Sequence, residues 1–282
     1  MGATVQKLEA EGRLLVFGGP YSNLQATEAL LGLAGDQGLG PEQVLCTGDL
    51  VAYCAEPQAT VDLIRDFGCP VVMGNCEESL AADAPDCGCG FDANSACDFL
   101  SQQWYAYSRG RVSADSKSWM GSLPRSIDVV LGNWRFLAVH GSVASINEFI
   151  FPNTATEKKE AELSLAGDQF DGILGGHSGL PFAEIIGGKL WLNSGALGMP
   201  ANDGTPRVWY ALLELVAGGA LSIQVRSLDY DHDTAAKRMR ENGLDNGYAA
   251  CLASGLWPSL DVLTAGDKAR TGRPISEIMV TW

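Results

Sequence analysis

Short apolar runs that break into glycine and then a polar residue recur along the first third of the chain. Leu14–Phe17 runs into Gly18-Gly19-Pro20, Gln43–Cys46 into Thr47-Gly48-Asp49, and Val71–Met73 into Gly74-Asn75-Cys76-Glu77. Brief, β-branched runs bounded by such breaks predict buried strands. Between them the apolar period lengthens. Asn23 is placed to cap a helix carrying Leu24, Leu30, Leu31 and Leu33, and Pro57 opens another with Val61, Leu63, Ile64 and Phe67 inward. This β–α alternation predicts an α/β fold with parallel strands and helices packed outside.

Beyond Met73 the order loosens. Glu77 to Asn94 is rich in Ala, Asp, Gly and Cys and reads as a long loop, followed by a helix over Asp98–Tyr107. Ile127–Val130 and Phe136–Val139 read as a hairpin about Gly132-Asn133, and the second arm ends at His140-Gly141. A charged helix over Glu157–Leu165 precedes a strand over Gly172–Leu174 that ends at Gly175-Gly176-His177. Gly187-Gly188 and Gly218-Gly219 each sit between two apolar runs as hairpin turns. Asp233–Asn242 reads as a surface helix stopped by Gly243. With no internal repeat or linker, residues 1–282 read as a single domain carrying a cysteine-rich loop insertion over 77–97. A C-terminal tail over 257–282 has no clear pattern.

Asp and Glu outnumber Lys and Arg by 34 to 19, a formal net charge of −15, which argues against a dedicated nucleic-acid surface. Small phosphorylated substrates stay compatible with it, because a bound metal can reverse the local field. Met1–Arg13 lacks a signal-peptide pattern and no later run is long enough to span a bilayer, so the expected compartment is the cytoplasm. There, eight cysteines point to metal ligands, redox chemistry or core filling ahead of a disulfide scaffold. Oligomeric state is left open.

Four strand ends carry Asp49, Asn75, His140 and His177. A carboxylate, an amide oxygen and two imidazoles suit a divalent transition metal such as Zn, Fe or Mn, and are too nitrogen-rich for Ca or Mg. The remaining histidine, His232, lies between two aspartates before a surface helix and reads as a solvated or capping residue.

The order Gly-Asp, Gly-Asn, His-Gly, Gly-His resembles the calcineurin-like metallophosphoesterase superfamily over about Leu14 to Leu256. It is closest to the small prokaryotic phosphoesterases, whose closing motif Asn193–Gly198 with Arg207 and Tyr210–Leu213 is similar to. The resemblance implies a four-layer α/β/β/α sandwich with two metals at the carboxyl ends of the strands. It also implies metal-dependent hydrolysis of a phosphomonoester or phosphodiester, nucleotides included. Three positions depart from the pattern. Gly19 stands for the first motif's Asp, Tyr21 for its His, and Gly179 for the second His of Gly-His-x-His. These are one metal's private ligands, while the other metal's set of Asp49, Asn75, His140 and His177 is intact. A remodelled centre holding one ion, with thiolates assisting, is therefore expected.

The family's proton-donating His after the Asn is here Cys76, which makes Cys76 the candidate acid beside Asp49 and His140 as catalytic residues. Cys54, Cys76, Cys87 and Cys89 are candidate thiolate ligands or disulfide partners; Cys46, Cys69 and Cys251 sit in apolar runs and read as core. Tyr21, Asn23 and Asn193 are the expected substrate-facing residues. A rival reading is a catalytically degenerate module that binds a phosphorylated ligand or senses metal or redox state through its cysteines.

Overall fold

The computed structural model of the chain describes residues 6–91 and 95–282. Its strands are β1 (Gln6–Ala10), β2 (Arg13–Phe17), β3 (Val44–Cys46), β4 (Ser126–Leu131), β5 (Trp134–Val139), β6 (Gly172–Gly175), β7 (Pro181–Ile186), β8 (Lys189–Ser194), β9 (Val208–Leu215), β10 (Leu221–Leu228) and β11 (Ile278–Thr281). Its helices are α1 (Leu24–Asp36), α2 (Pro57–Phe67), α3 (Asn75–Ala81), α4 (Ala96–Arg109), α5 (Ala114–Met120), α6 (Thr156–Ala166), α7 (His232–Glu241), α8 (Gly247–Ser254) and α9 (Ala265–Lys268). Six strands form a sheet in the order β1-β4-β5-β6-β8-β7, and five form a second in the order β11-β10-β9-β2-β3.

Side-chain alternation along the strands builds the layers. In β2, Leu14 and Val16 join the core between the sheets, with Ile127 and Val129 of β4 and Leu213 of β9. Leu15 and Phe17, one residue out of phase, pack instead under helices with Leu30, Val61 and Met239. On the far side, Val139 of β5, Ile173 of β6 and Trp191 of β8 pack against Leu163 and Ala166 of α6. Three separate apolar layers divide four structural ones, giving the α/β/β/α sandwich. Each fully buried Leu or Phe contributes about 1.5–3 kcal/mol, so period-two alternation alone fixes which face each strand shows.

The three glycine-bearing hairpins form as expected: β4 with β5, β7 with β8, and β9 with β10 all pair antiparallel. Other expectations need correcting. Val71–Met73 makes a single bridge, Val71 to Cys46, rather than a strand. Pro70 has no N–H to give, and Met73 N–H turns away to the Pro124 carbonyl at 2.8 Å. The loop expected over 77–97 is helical at both ends, in α3 and α4; its residues 92–94 lie outside the described residues, as do residues 1–5 of the N-terminal stretch. The tail is ordered too: β11 extends the five-stranded sheet by pairing Ile278–Thr281 with β10. Among the described residues no helix is long and apolar enough to cross a membrane.

Candidate metal centre

The carboxyl ends of β3, β5 and β6 open onto one side of the sandwich, and Asp49, His140 and His177 follow them there. Gly48 makes the approach possible, since a Cβ on it would lie 2.7 Å from the Val72 carbonyl and 2.9 Å from His140 Nδ1. Asp49 and His177 themselves hold left-handed backbones, φ 57° and 59°, as do Tyr21, Ser22 and Tyr53 nearby. Such conformations cost non-glycine residues on the order of 1–3 kcal/mol each, and collect at functional sites.

His140 is the hub. Its Nε2 lies 3.1 Å from Asn75 Oδ1, 3.1 Å from His177 Nδ1 and 3.2 Å from Asp49 Oδ2. Its Nδ1 lies 2.7 Å from the Thr47 carbonyl, which can only accept, so that nitrogen carries a proton. A neutral His140 therefore turns a bare Nε2 toward the other ligand atoms. One proton at Nε2 can satisfy one of those three neighbours; a cation at their centre satisfies all four. The donor set and the backbone-oriented imidazole fit a divalent metal ion.

Asn75 is braced for the same task. Its amide nitrogen donates to the Cys87 carbonyl at 2.9 Å and approaches Cys89 Sγ at 3.3 Å, which leaves Oδ1 to face His140. Cys87 and Cys89 are joined in a disulfide. Glu77, whose role is not evident from the sequence, lies beneath the centre. It is fully buried and accepts N–H bonds from Asp49 (2.8 Å), Leu50 (2.8 Å) and Gly74 (3.0 Å). The capping-box spacing from Gly74 to Glu77 was the available signal.

Charge and burial pull the site's protons apart. Burial raises the Asp49 carboxyl, but the charge and hydrogen bond of His140, then His177, outweigh it and hold it well below the usual range. At His140 burial opposes the charged form, and Asp49 overcomes it, so the pKa is raised. Burial prevails at His177, which is lowered. Glu77 is pushed up to about 7 by burial and by Asp49.

The family model described as the calcineurin-like phosphoesterase superfamily domain matches residues 22–218. The chain belongs to this superfamily. Its members are phosphoesterases that bind divalent metals, and in this member Asp49, His140 and His177 place ligand atoms close enough to hold one. The chain is 25% identical over 242 residues to an uncharacterized protein of Methanocaldococcus jannaschii, covering 79% of this chain and 90% of that one. Its fold is similar to that of a metallophosphoesterase from Sphaerobacter thermophilus, with TM-score 0.67, 22% identity and coverage of 88% and 100% of the two chains. It also matches a hypothetical protein from Pyrococcus horikoshii OT3, with TM-score 0.71, 16% identity and coverage of 87% and 99%.

Where the calcineurin-like pattern is broken, aromatic side chains fill the space. The Tyr21 ring lies over Gly19, so a Cβ there would meet Tyr21 Cζ at 2.5 Å. The Trp257 indole covers Gly179, 3.5 Å from where its Cβ would stand. Gly19→Asp should accordingly fail to bind a second ion and should lower stability, since its side chain starts inside the Tyr21 ring. Two bound ions per chain by elemental analysis, in a folded Gly19→Asp protein, would contradict this.

Several expected site residues take other roles. Among the described residues no sulfur joins the Asp49, His140 and His177 cluster, which corrects the thiolate-assisted centre. Cys54 is a free buried thiol whose Sγ lies 3.7 Å from the Gly198 carbonyl. Cys76 gives its backbone N–H to Asp49 Oδ1 at 3.2 Å. Burial, then Asp49 and Glu77, push its thiol well above its ordinary value. Asn23 is fully buried and spent on the fold, capping α1 through Ala26 N–H and donating to the Gly198 carbonyl. Asn193 is spent likewise, donating to the Gly176 carbonyl and accepting from Gly195 N–H. Neither is free to contact substrate, whereas Tyr21 lines the cavity beside His177.

Proposed function

We propose that the chain hydrolyses a phosphate ester at a single divalent transition-metal ion held by Asp49, Asn75, His140 and His177. The supporting observation is the convergence on His140 Nε2 of three further ligand atoms within 3.2 Å, with the imidazole tautomer set by the Thr47 carbonyl. When bound, such an ion supplies Lewis acidity to a phosphoryl oxygen and to water. The chain supplies the rest. Asp49 brings the negative charge that pairs with the cation, Thr47 holds His140 in register, and the Cys87–Cys89 segment aims the Asn75 oxygen. Tyr21 stands where a second ion's ligands would be and presents a neutral hydroxyl to the substrate, burial having raised its pKa far above neutral.

Protein purified without chelator should carry close to one Zn, Fe or Mn per chain and release product from p-nitrophenyl phosphate or bis(p-nitrophenyl) phosphate, with activity lost to chelator and restored by metal. Stoichiometric metal with no turnover on any ester of a broad panel would favour the rival, a metal-holding module that binds its phosphorylated ligand without cleaving it. Lack of metal would overturn both.

A further inference from the structure

Beside His177 a cavity of about 60 Å3 opens between the strand ends and the C-terminal segment. It has room for a few waters. Its walls are aromatic: Tyr21 and Tyr53 on one side, Tyr248 and Trp257 on another, and Phe149 stacked on His177 at 4.1 Å between ring centroids. The wall is held in place. Tyr53 meets Tyr21 edge-on at 4.8 Å and Tyr248 at 4.4 Å, and the Trp257 indole N–H is tied to the Pro200 carbonyl at 2.7 Å.

Two observations separate this cavity from ordinary core packing. Tyr53, Phe149 and Trp257 are only partly buried, so the space communicates with solvent. Within the described residues, His177 Nε2 is a buried atom that makes no well-formed hydrogen bond, and Tyr21, Tyr53 and Tyr248 line the same wall. Buried polar atoms ordinarily find partners, so His177 Nε2 is open to one supplied by a ligand. Aromatic faces with hydroxyl and imidazole groups among them match a flat ring that carries acceptor oxygens at one end.

We infer that this cavity seats the organic part of the ester and selects a planar aromatic group, with the Tyr21 hydroxyl donating to the phosphoryl oxygen beside Asp49. The inference rests on the phosphoester reading above and deepens it. Tyr21 and Trp257 do both jobs, closing over Gly19 and Gly179 and walling the ring. Ring-on-ring contacts add about 0.5–1.5 kcal/mol each beyond area burial, and two or three of them suffice for a tenfold preference.

The test is calorimetric titration of Mn2+-loaded protein with two probes that cannot be hydrolysed, benzylphosphonate and methylphosphonate. Benzylphosphonate should bind at least tenfold more tightly, and Tyr53→Ala and Trp257→Ala, on different walls, should each shrink that preference below threefold. Circular dichroism confirms that the variants are folded, and either folded variant alone is sufficient for the comparison. Equal affinity of the wild type for both probes would overturn the aromatic seat while leaving the phosphoester reading standing. So would a preference that survives in the folded variants. If neither probe binds, the phosphoester reading falls and this inference falls with it.

Discussion

Replacing His177 with glycine should lower bound metal at least tenfold and ester hydrolysis on the order of a hundredfold or more, while the protein stays folded. Glycine is the informative substitute because His177 holds φ 59°, a conformation glycine adopts without strain. Any loss is then the loss of the imidazole. With it goes Nδ1, one of the three neighbours of His140 Nε2. His232→Ala serves as control, since His232 opens α7 beside its capping Asp231 and its Nδ1 lies 3.4 Å from Asp233. Elemental analysis and turnover should separate the two variants cleanly. Equal metal loss in both would show that the wrong histidines have been assigned. The raised pKa of His140 adds a direction: metal must displace a proton there, so affinity should fall as pH is lowered.

The residues that converge on this centre were legible because strand ends are marked twice in the sequence, once where an apolar run stops and again at the glycine that follows. Those marks are local, and so were the glycine turns of the three hairpins. What escaped was carried by distant or weakly patterned segments. β1 reads Gln6-Lys7-Leu8-Glu9-Ala10, with only Leu8 and Ala10 turned inward, too short an alternation to stand out. Trp257 reaches Gly179 from a stretch of chain with no periodicity, so nothing in the sequence showed that an indole would cover the missing ligand. Of the cysteine expectations, the disulfide alternative holds for Cys87 and Cys89, while the thiolate one does not. Proximity in sequence to Asn75 does bring Cys76, Cys87 and Cys89 near it, and what they give Asn75 is a carbonyl and two sulfurs to brace its amide. Asn23 and Asn193 are polar in a motif, and their polarity turns out to be consumed by backbone groups within the fold.

Removal of the Glu77 carboxylate should cost the fold a large part of its stability. That carboxylate ties the turn after β3 to the start of α3 through the N–H groups of Asp49, Leu50 and Gly74. Gly74 allows this closeness, since a Cβ there would fall 2.3 Å from Asp49 Oδ1. Glu77→Ala leaves three buried donors unmet at about 1–3 kcal/mol each, partly relieved if water enters, so a loss of about 4 kcal/mol is expected. Against a total stability of about 5–15 kcal/mol that is a large fraction. Glu77→Gln keeps the length and one acceptor oxygen but points an NH2 at N–H donors, and should fall between the two. Glu78→Ala, the neighbouring position, removes an exposed pair with Arg125 and should cost less than about 1 kcal/mol. Urea denaturation of the metal-free proteins measures all three, with unchanged m-values confirming that the same transition is compared. Should Glu77→Ala unfold at the wild-type midpoint, the carboxylate is not what holds the Asp49 turn against α3. The metal affinity of that variant would then have to match the wild type as well.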